Sequence, residues 1–362
     1  MKPRVRAGAY IPWARSRAGL RYSLARSGAP PCDLARLGAS LDDVLAQDAR
    51  DDGWPALREA IAQRYGVTPA HVVLVAGASV ANHLAMATLL EPGDEVLVEH
   101  PVYEPLVLLP RHLRAEVVPL PRRAQAGWAL TPGDLDAVRG LLSPRTRLVV
   151  LSDLHNPSGA LLDEELVDAL AALAEQHGFH VLIDEVYLEF AGPPRTAASR
   201  SPRIVTTRSL TKAFGLDALR VGWILAEPAL AERMRRMHDL FVATVAHPSE
   251  RLALLALRRA DELLAPTLAL LAANQARVEA FVAGQPRLSW TPPAAGTVGL
   301  VQLAGGSVDE LAARLEQHQA AITPGRFFGA PEHFRIGWAV PAEILDAALE
   351  RIALALRSPR AG

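Results

Sequence analysis

Between residues 71 and 226 short apolar runs rich in β-branched residues alternate with helix-period segments and turns. The runs are "HVVLVAG" (71–77), "EVLVEH" (95–100), "EVVPL" (116–120), "RLVVLSD" (147–153), "HVLIDEV" (180–186), "RIVTTRS" (203–209) and "VGWILA" (221–226). A strand that is apolar on both faces must be covered on both, and intervening helices are the usual cover. The segment "LLDEELVDALAALAEQHG" (161–178) is such a helix: Leu162, Leu166, Ala169, Leu170 and Leu173 share a face, and Gly178 stands where it should end. These features predict an α/β fold whose large domain is a mostly parallel seven-stranded sheet flanked by helices.

The pattern changes after residue 227. Residues 228–284 read as helix, followed by "VGLVQL" (298–303), a helix near 307–319, "AAITPG" (320–325), "FRIGWA" (334–339) and a last helix near 342–357. This predicts a smaller α+β domain reached through a long helix. The expected division is a large domain over 44–245, with 1–43 as an N-terminal arm and 246–362 as the small domain. Half the residues are hydrophobic and the formal net charge is -1. Dispersed basic residues and few aromatics argue against a nucleic-acid partner. No run reaches the roughly 18 apolar residues of a membrane span. A single cysteine, Cys32, excludes an intrachain disulfide and any multi-cysteine metal site. His177 and His180 flank a glycine with no acidic or cysteine partner at ligand spacing, so no metal is expected. The arginine-rich start lacks an acid before Asp33 and lacks the apolar core of a signal peptide; it is read as an arm laid over a cytoplasmic protein.

In an open parallel sheet, ligands bind beyond the carboxyl ends of the strands. Four of those ends carry chemistry. Gly77, Ala78 and Ser79 open a helix, where backbone N–H groups can close on an anion. Asn156 follows the 147–153 run, in a stretch that is also a good turn. Asp184 ends the 180–183 run with Tyr187 three residues on, and a buried carboxylate there needs a partner. Ser209, Lys212 and Arg220 follow the 203–209 run. The chain holds 36 arginines and two lysines, one of them Lys2. A primary amine forms a Schiff base with an aldehyde, which a guanidinium does not. Each feature has an ordinary structural explanation of its own. One ligand accounts for all four: an aldehyde for Lys212, a phosphate for Ser79, Ser209 and Arg220, a protonated ring nitrogen for Asp184, and a phenolic oxygen for Asn156 and Tyr187. That ligand is pyridoxal 5'-phosphate.

From about residue 40 to 355 the chain resembles the class I/II aminotransferases, fold-type I pyridoxal-phosphate enzymes. The motifs are "GWPALREAIAQRYG" (53–66), "GAS" (77–79), "EPGDEVLVEHPVYEP" (91–105), "HNPSG" (155–159), "DEVY" (184–187), "SLTKAFGLDALRVGW" (209–223) and "FRIGWA" (334–339). The resemblance implies roles. Lys212 would hold the cofactor as a Schiff base and shuttle the substrate's proton. Asp184 would pair with the ring nitrogen, Tyr187 and Asn156 would contact the ring hydroxyl, and Tyr103 would stack on the ring. Gly77, Ala78, Ser79, Ser209 and Arg220 would hold the phosphate. Arg335 would take the substrate α-carboxylate, with Asn156 beside it and Gly28 lining the pocket. Arg326 and Phe327, in "TPGRFFG", would be specificity candidates. A homodimer is also implied.

The chain departs from the pattern at Asp48. Relatives often place there a tyrosine that reaches the neighbouring subunit's phosphate, which an acid would repel. Thr211 stands where many members have serine. The expected reaction moves an amino group between an α-amino acid and a 2-oxo acid. A pyridoxal-phosphate lyase, cyclase or synthase on the same scaffold is the alternative. A binding or regulatory protein keeping only the fold is a third reading, against which stand the complete Asp–Tyr–Lys–Arg set and the shortness of the segment before residue 40.

Overall fold

Why the seven runs share one sheet is visible in β6. The computed structural model describes residues 7–45, 54–243 and 245–357; Asp48 and Gly53 lie outside the described residues. The strands, after a short β1 (Tyr22–Ser23), are β2 (Val72–Val75), β3 (Glu95–His100), β4 (Glu116–Pro121), β5 (Thr146–Ser152), β6 (His180–Asp184), β7 (Ile204–Ser209) and β8 (Gly222–Leu225). Leu182 of β6 packs into a core with Ala81, Leu84, Ala231 and Met234, from helices on one side of the sheet. Val181 and Ile183 pack with Leu166, Leu170 and Leu173 from the helix Glu164–His177 on the other. Alternate side chains of one strand thus enter separate cores, which requires both faces to be covered. The expected helix begins with Asp163, whose carboxylate accepts from the Glu165 and Leu166 N–H groups, and ends at Gly178 with φ 77°.

The sheet order is β2-β8-β7-β6-β5-β3-β4. All neighbours are parallel except that β8 runs antiparallel to both β7 and β2. β2, β5, β6 and β7 therefore run the same way and end at one edge.

A second sheet of four strands has the order β12-β13-β10-β9. Its members are β9 (Leu288–Ser289), β10 (Val298–Leu303), β12 (Thr323–Pro324) and β13 (His333–Gly337), and β11 (Ala320–Ala321) lies just before β12. The 24-residue helix Ala260–Ala283 leads into this region, as the sequence predicts. The N-terminal segment ties the two sheets together. β1 pairs in parallel with β11, the Gly337 N–H donates to the Leu24 carbonyl, and the Ala29 N–H donates to the Lys212 carbonyl at 2.7 Å. Residues 22–29 therefore run from the small sheet to the loop after β7. A seven-residue helix, Tyr10–Ser16, precedes them; the Glu104 carboxylate accepts from the N–H groups of Ala9 and Tyr10 at its start.

Candidate active site

The four strand ends meet a cavity of about 450 Å³. Ser152 closes β5, Asp184 closes β6, Ser209 closes β7, and Gly77 lies two residues past β2. Ala78, Ser79, Tyr103, Asn156, Asp184, Tyr187, Ser209, Lys212, Arg220 and Gly28 all line the cavity. Gly77 sits directly behind it, and the partners of Arg335 form part of its wall. The structure thus gathers the cofactor candidates around one cavity, with Gly77 just behind its wall, while Arg335 does not line it and reaches it through Asn156 and Tyr10, which do.

Asp184 is buried. It accepts from Asn82 Nδ2 at 2.7 Å and from the Val186 N–H at 3.2 Å, and Thr207 Oγ1 donates to Asn82 Oδ1 at 2.7 Å. Two neutral donors do not offset burial, which pushes the Asp184 pKa up to about 6. No cation lies within ion-pairing distance among the described residues. A protonated ring nitrogen would supply the missing positive charge.

Lys212 projects into the cavity, where loss of water lowers the pKa of its amine; the positive charges of Arg335 and Arg26 push the same way. Nζ donates to Ser27 Oγ at 3.3 Å, and Tyr187 Oη donates to the same oxygen at 2.9 Å. Tyr10 and Asp184 pull the amine's pKa the other way without offsetting burial, and among the described residues no carboxylate pairs with the amine, which suits a lysine that must be neutral to react. Gly28 lies in close passage with the lysine: a Cβ there would stand 3.3 Å from both Lys212 Cδ and the Lys212 carbonyl oxygen, a tight contact.

The far end of the cavity fits a phosphate. The 12-residue helix Ala78–Leu89 presents its N-terminus there, with Ala78 and Ser79 at the cavity surface. Arg220, held in the left-handed region at φ 52°, gives its guanidinium only to the backbone carbonyls of Asp217 and Ala76. Gly77 has φ 91°, and a Cβ on it would collide with that guanidinium. The cradle therefore needs glycine for both conformation and space.

Arg335 is fully buried on β13. Nη1 donates to Asn156 Oδ1 at 2.8 Å, while Nη2 donates to Tyr10 Oη at 2.8 Å, to the Ala25 carbonyl at 2.9 Å and to Thr323 Oγ1 at 3.4 Å. Nε has no partner. A buried guanidinium surrounded only by neutral acceptors calls for an anion, and a planar carboxylate suits it.

Several contributors escaped the sequence reading. Asn82 lies one helical turn after Ser79, so its placement on the cavity side of that helix was readable from spacing. Ser27, Tyr10 and Thr207 carried no such signal. Tyr10 reaches the site because its helix lies across the cavity, where its ring packs edge-on against Tyr103 with centroids 5.7 Å apart. Arg326 is not at the site: it is ion-paired with Asp309 on the surface at 2.6 Å, while Phe327 packs on Tyr10 and Trp13.

The sequence profile of the family "Aminotransferase class I and II" matches residues 45–352. Capreomycidine synthase of Streptomyces vinaceus is 34% identical over 328 residues, covering 88% of this chain and 84% of that protein. Arginine–pyruvate transaminase AruH of Pseudomonas aeruginosa is 32% identical over 369 residues, covering 95% and 92%. A pyridoxal-phosphate-dependent aminotransferase of Streptococcus suis, solved by crystallography, superposes with a TM-score of 0.90 at 26% identity, covering 99% and 98% of the two chains.

Proposed function

This chain belongs to the class I and II aminotransferase family, and from that premise we propose which of its residues do the work. It is a pyridoxal 5'-phosphate-dependent aminotransferase that exchanges an amino group between an α-amino acid and a 2-oxo acid. The bound cofactor supplies an electron sink that makes the substrate Cα–H acidic. Lys212 would hold the cofactor, and its Nζ is the group in the cavity able to take the substrate's Cα proton. Asp184 would sit against the ring nitrogen and favour its protonated form, with Asn82 and Val186 fixing the carboxylate's orientation. Tyr187 and Asn156 would contact the ring hydroxyl and Tyr103 would stack on the ring. Gly77, Ala78, Ser79, Ser209 and Arg220 hold the phosphate. Arg335 grips the substrate α-carboxylate, oriented by Asn156 and Tyr10.

The observation that carries this assignment is the convergence on one cavity of a lysine amine without a carboxylate and a buried carboxylate without a cation. Borohydride reduction followed by peptide mapping tests it: the pyridoxyl mass belongs on the fragment holding Lys212, and its appearance elsewhere sinks the assignment. The similarity to capreomycidine synthase favours one second reading, a synthase or cyclase reaction on the same site. Product formation that needs no 2-oxo acid would select it.

The same reading divides the chain into a large domain over 44–245, with 1–43 and 246–362 as arm and small domain; the pairing of β1 with β11 supports grouping the arm with the small domain. It also places the enzyme in the cytoplasm as a homodimer. Exposed Leu240 and Phe241 support an apolar subunit contact. Among the described residues no helix is long and apolar enough to cross a membrane.

A further inference from the structure

The "HNPSG" turn holds a histidine that the roles given above leave unused. His155 is fully buried and directly precedes Asn156. Its Nε2 lies 2.8 Å from the Pro101 carbonyl oxygen and its Nδ1 lies 2.6 Å from Ser158 Oγ. A carbonyl oxygen only accepts, so Nε2 carries the proton. Burial lowers the pKa of the imidazole well below its ordinary value; Arg122 and His100 push the same way, and the bond to Pro101 opposes them without prevailing. The ring is therefore neutral and Nδ1 accepts from the Ser158 hydroxyl. The Ser158 oxygen in turn accepts from the Ala160 N–H at 3.2 Å. The backbone is fixed as well, since the His155 N–H donates to the Ala160 carbonyl and the Gly159 N–H donates to the His155 carbonyl. Both ring nitrogens are used, which sets one tautomer and one orientation.

The carbonyl that His155 holds belongs to a different loop. Pro101 follows β3, and Tyr103 comes shortly after it, at the start of the helix Glu104–His112. Asn156 follows β5. The paired register of β3 and β5 ends at Val98 and Val150, short of both loops. Side chains continue the connection. Ser152 Oγ donates to the Glu99 carboxylate, which also accepts from Arg122 Nε at 2.8 Å, and His155 carries the link further along both loops. Asn156 itself has its Oδ1 taken by Arg335, which leaves the Nδ2 amide as the donor for the ring hydroxyl.

We infer that His155 is a positioning residue: its Nε2 bond to Pro101 sets the loop carrying Asn156 against the loop carrying Tyr103, so that the amide donor and the stacking ring meet one cofactor. The inference rests on the proposed function, which assigns those two contacts. An amide donor on the phenolic oxygen carries part of the negative charge that would otherwise hold a proton on Lys212 Nζ. When Asn156 drifts, that share is lost, and Lys212 Nζ in the loaded enzyme becomes a stronger base. His155 thus acts on the basicity of Lys212 without touching it.

Two substitutions divide the ring. Asparagine offers an acceptor near Nδ1 and nothing at Nε2, whereas glutamine reaches far enough to place an NH₂ group there. A pH titration of the holoenzyme, followed at the cofactor's visible absorbance band, reads the basicity of Lys212 Nζ without turnover. His155→Asn should raise the midpoint by about 1 pH unit, the worth of one hydrogen bond. It should also weaken pyridoxal phosphate about tenfold in a fluorescence titration. His155→Gln should bring both back close to wild type. Ser158→Ala, which frees the ring without shortening it, should move the midpoint the same way by less. Tyr10, Arg335, Asp184 and Arg26 around the amine are the same in every variant, and neutral His155 adds no titration of its own. A merely structural role would lower the melting temperature and leave the midpoint in place, and that result overturns the inference. A shift in His155→Asn that His155→Gln shares in full also overturns it. Should His155→Asn not fold, Ser158→Ala decides alone, and an unchanged midpoint there overturns the inference. A wild-type enzyme that forms no visible band with pyridoxal phosphate would instead strike the parent reading.

Discussion

Replacing Asp184 by Asn separates the charge of this side chain from its shape. The carboxylate is buried among neutral donors, and its pKa rises from 3.8 to about 6. A group held protonated more firmly in the folded chain contributes stability that is complete below its unfolded pKa and lost as pH rises through its folded one. For Asp184 that window runs from 3.8 to about 6. The whole shift corresponds to about 3 kcal/mol, of which about 1.4 kcal/mol is lost between pH 5 and 7.5. An amide can occupy the site without an orphaned donor. Asn82 accepts from Thr207 Oγ1, and a hydroxyl can donate or accept. Turning the Asn82 amide over then offers its oxygen to the new NH₂ group, while the new carbonyl keeps the Val186 N–H. Urea unfolding of cofactor-free wild type and Asp184→Asn at pH 5 and 7.5 reads the effect. Comparing the two proteins cancels shared titrations, including Asp153, whose carboxyl burial pushes up to about 7. Asp184→Asn should gain about 1.4 kcal/mol on wild type between the two pH values. A gain below about 0.5 kcal/mol, or one of opposite sign, refutes burial as the dominant influence on this carboxylate. The loaded enzyme should move the other way, losing at least about a hundredfold in amino transfer, because a neutral amide cannot favour the charged ring.

Arg335→Lys keeps a positive charge but loses the planar fork that reaches Asn156, Tyr10 and Ala25 together. Steady-state kinetics should show KM for the amino acid raised about 10- to 100-fold, with a smaller fall in kcat. Gly77→Ala should weaken cofactor binding, since φ 91° is strained for alanine by about 1–3 kcal/mol and its Cβ would displace Arg220. Fluorescence titration with pyridoxal phosphate checks this, and unchanged affinity would contradict the assigned cradle.

What could be read in the sequence follows from how each residue reaches the site. Asp184, Ser209 and Lys212 are placed by the ends of β6 and β7, and parallel strands buried on both faces have an apolar signature that fixes where they end. The phosphate end is equally local, since Gly77, Ala78 and Ser79 form one strand-to-helix turn. The N-terminal contributors are different in kind. Tyr10, Arg26 and Ser27 are positioned by β1 pairing with β11 some 300 residues away and by Ala29 bonding to the Lys212 carbonyl. Gly28 was found only through resemblance, and Tyr10 and Arg26 were not found at all, because a two-strand parallel pairing leaves no periodicity to detect. This separation has a chemical consequence. The cofactor residues Asp184, Ser209 and Lys212 follow strand ends of the large sheet, Arg335 lies on the small sheet, and Tyr10 and Ser27 of the N-terminal segment bond to Arg335 and Lys212. The N-terminal segment is therefore expected to serve the shared machinery: Ser27→Ala removes the hydroxyl to which Lys212 Nζ and Tyr187 Oη both donate, and it should lower amino transfer from every amino acid tested, so a loss confined to one substrate would contradict this.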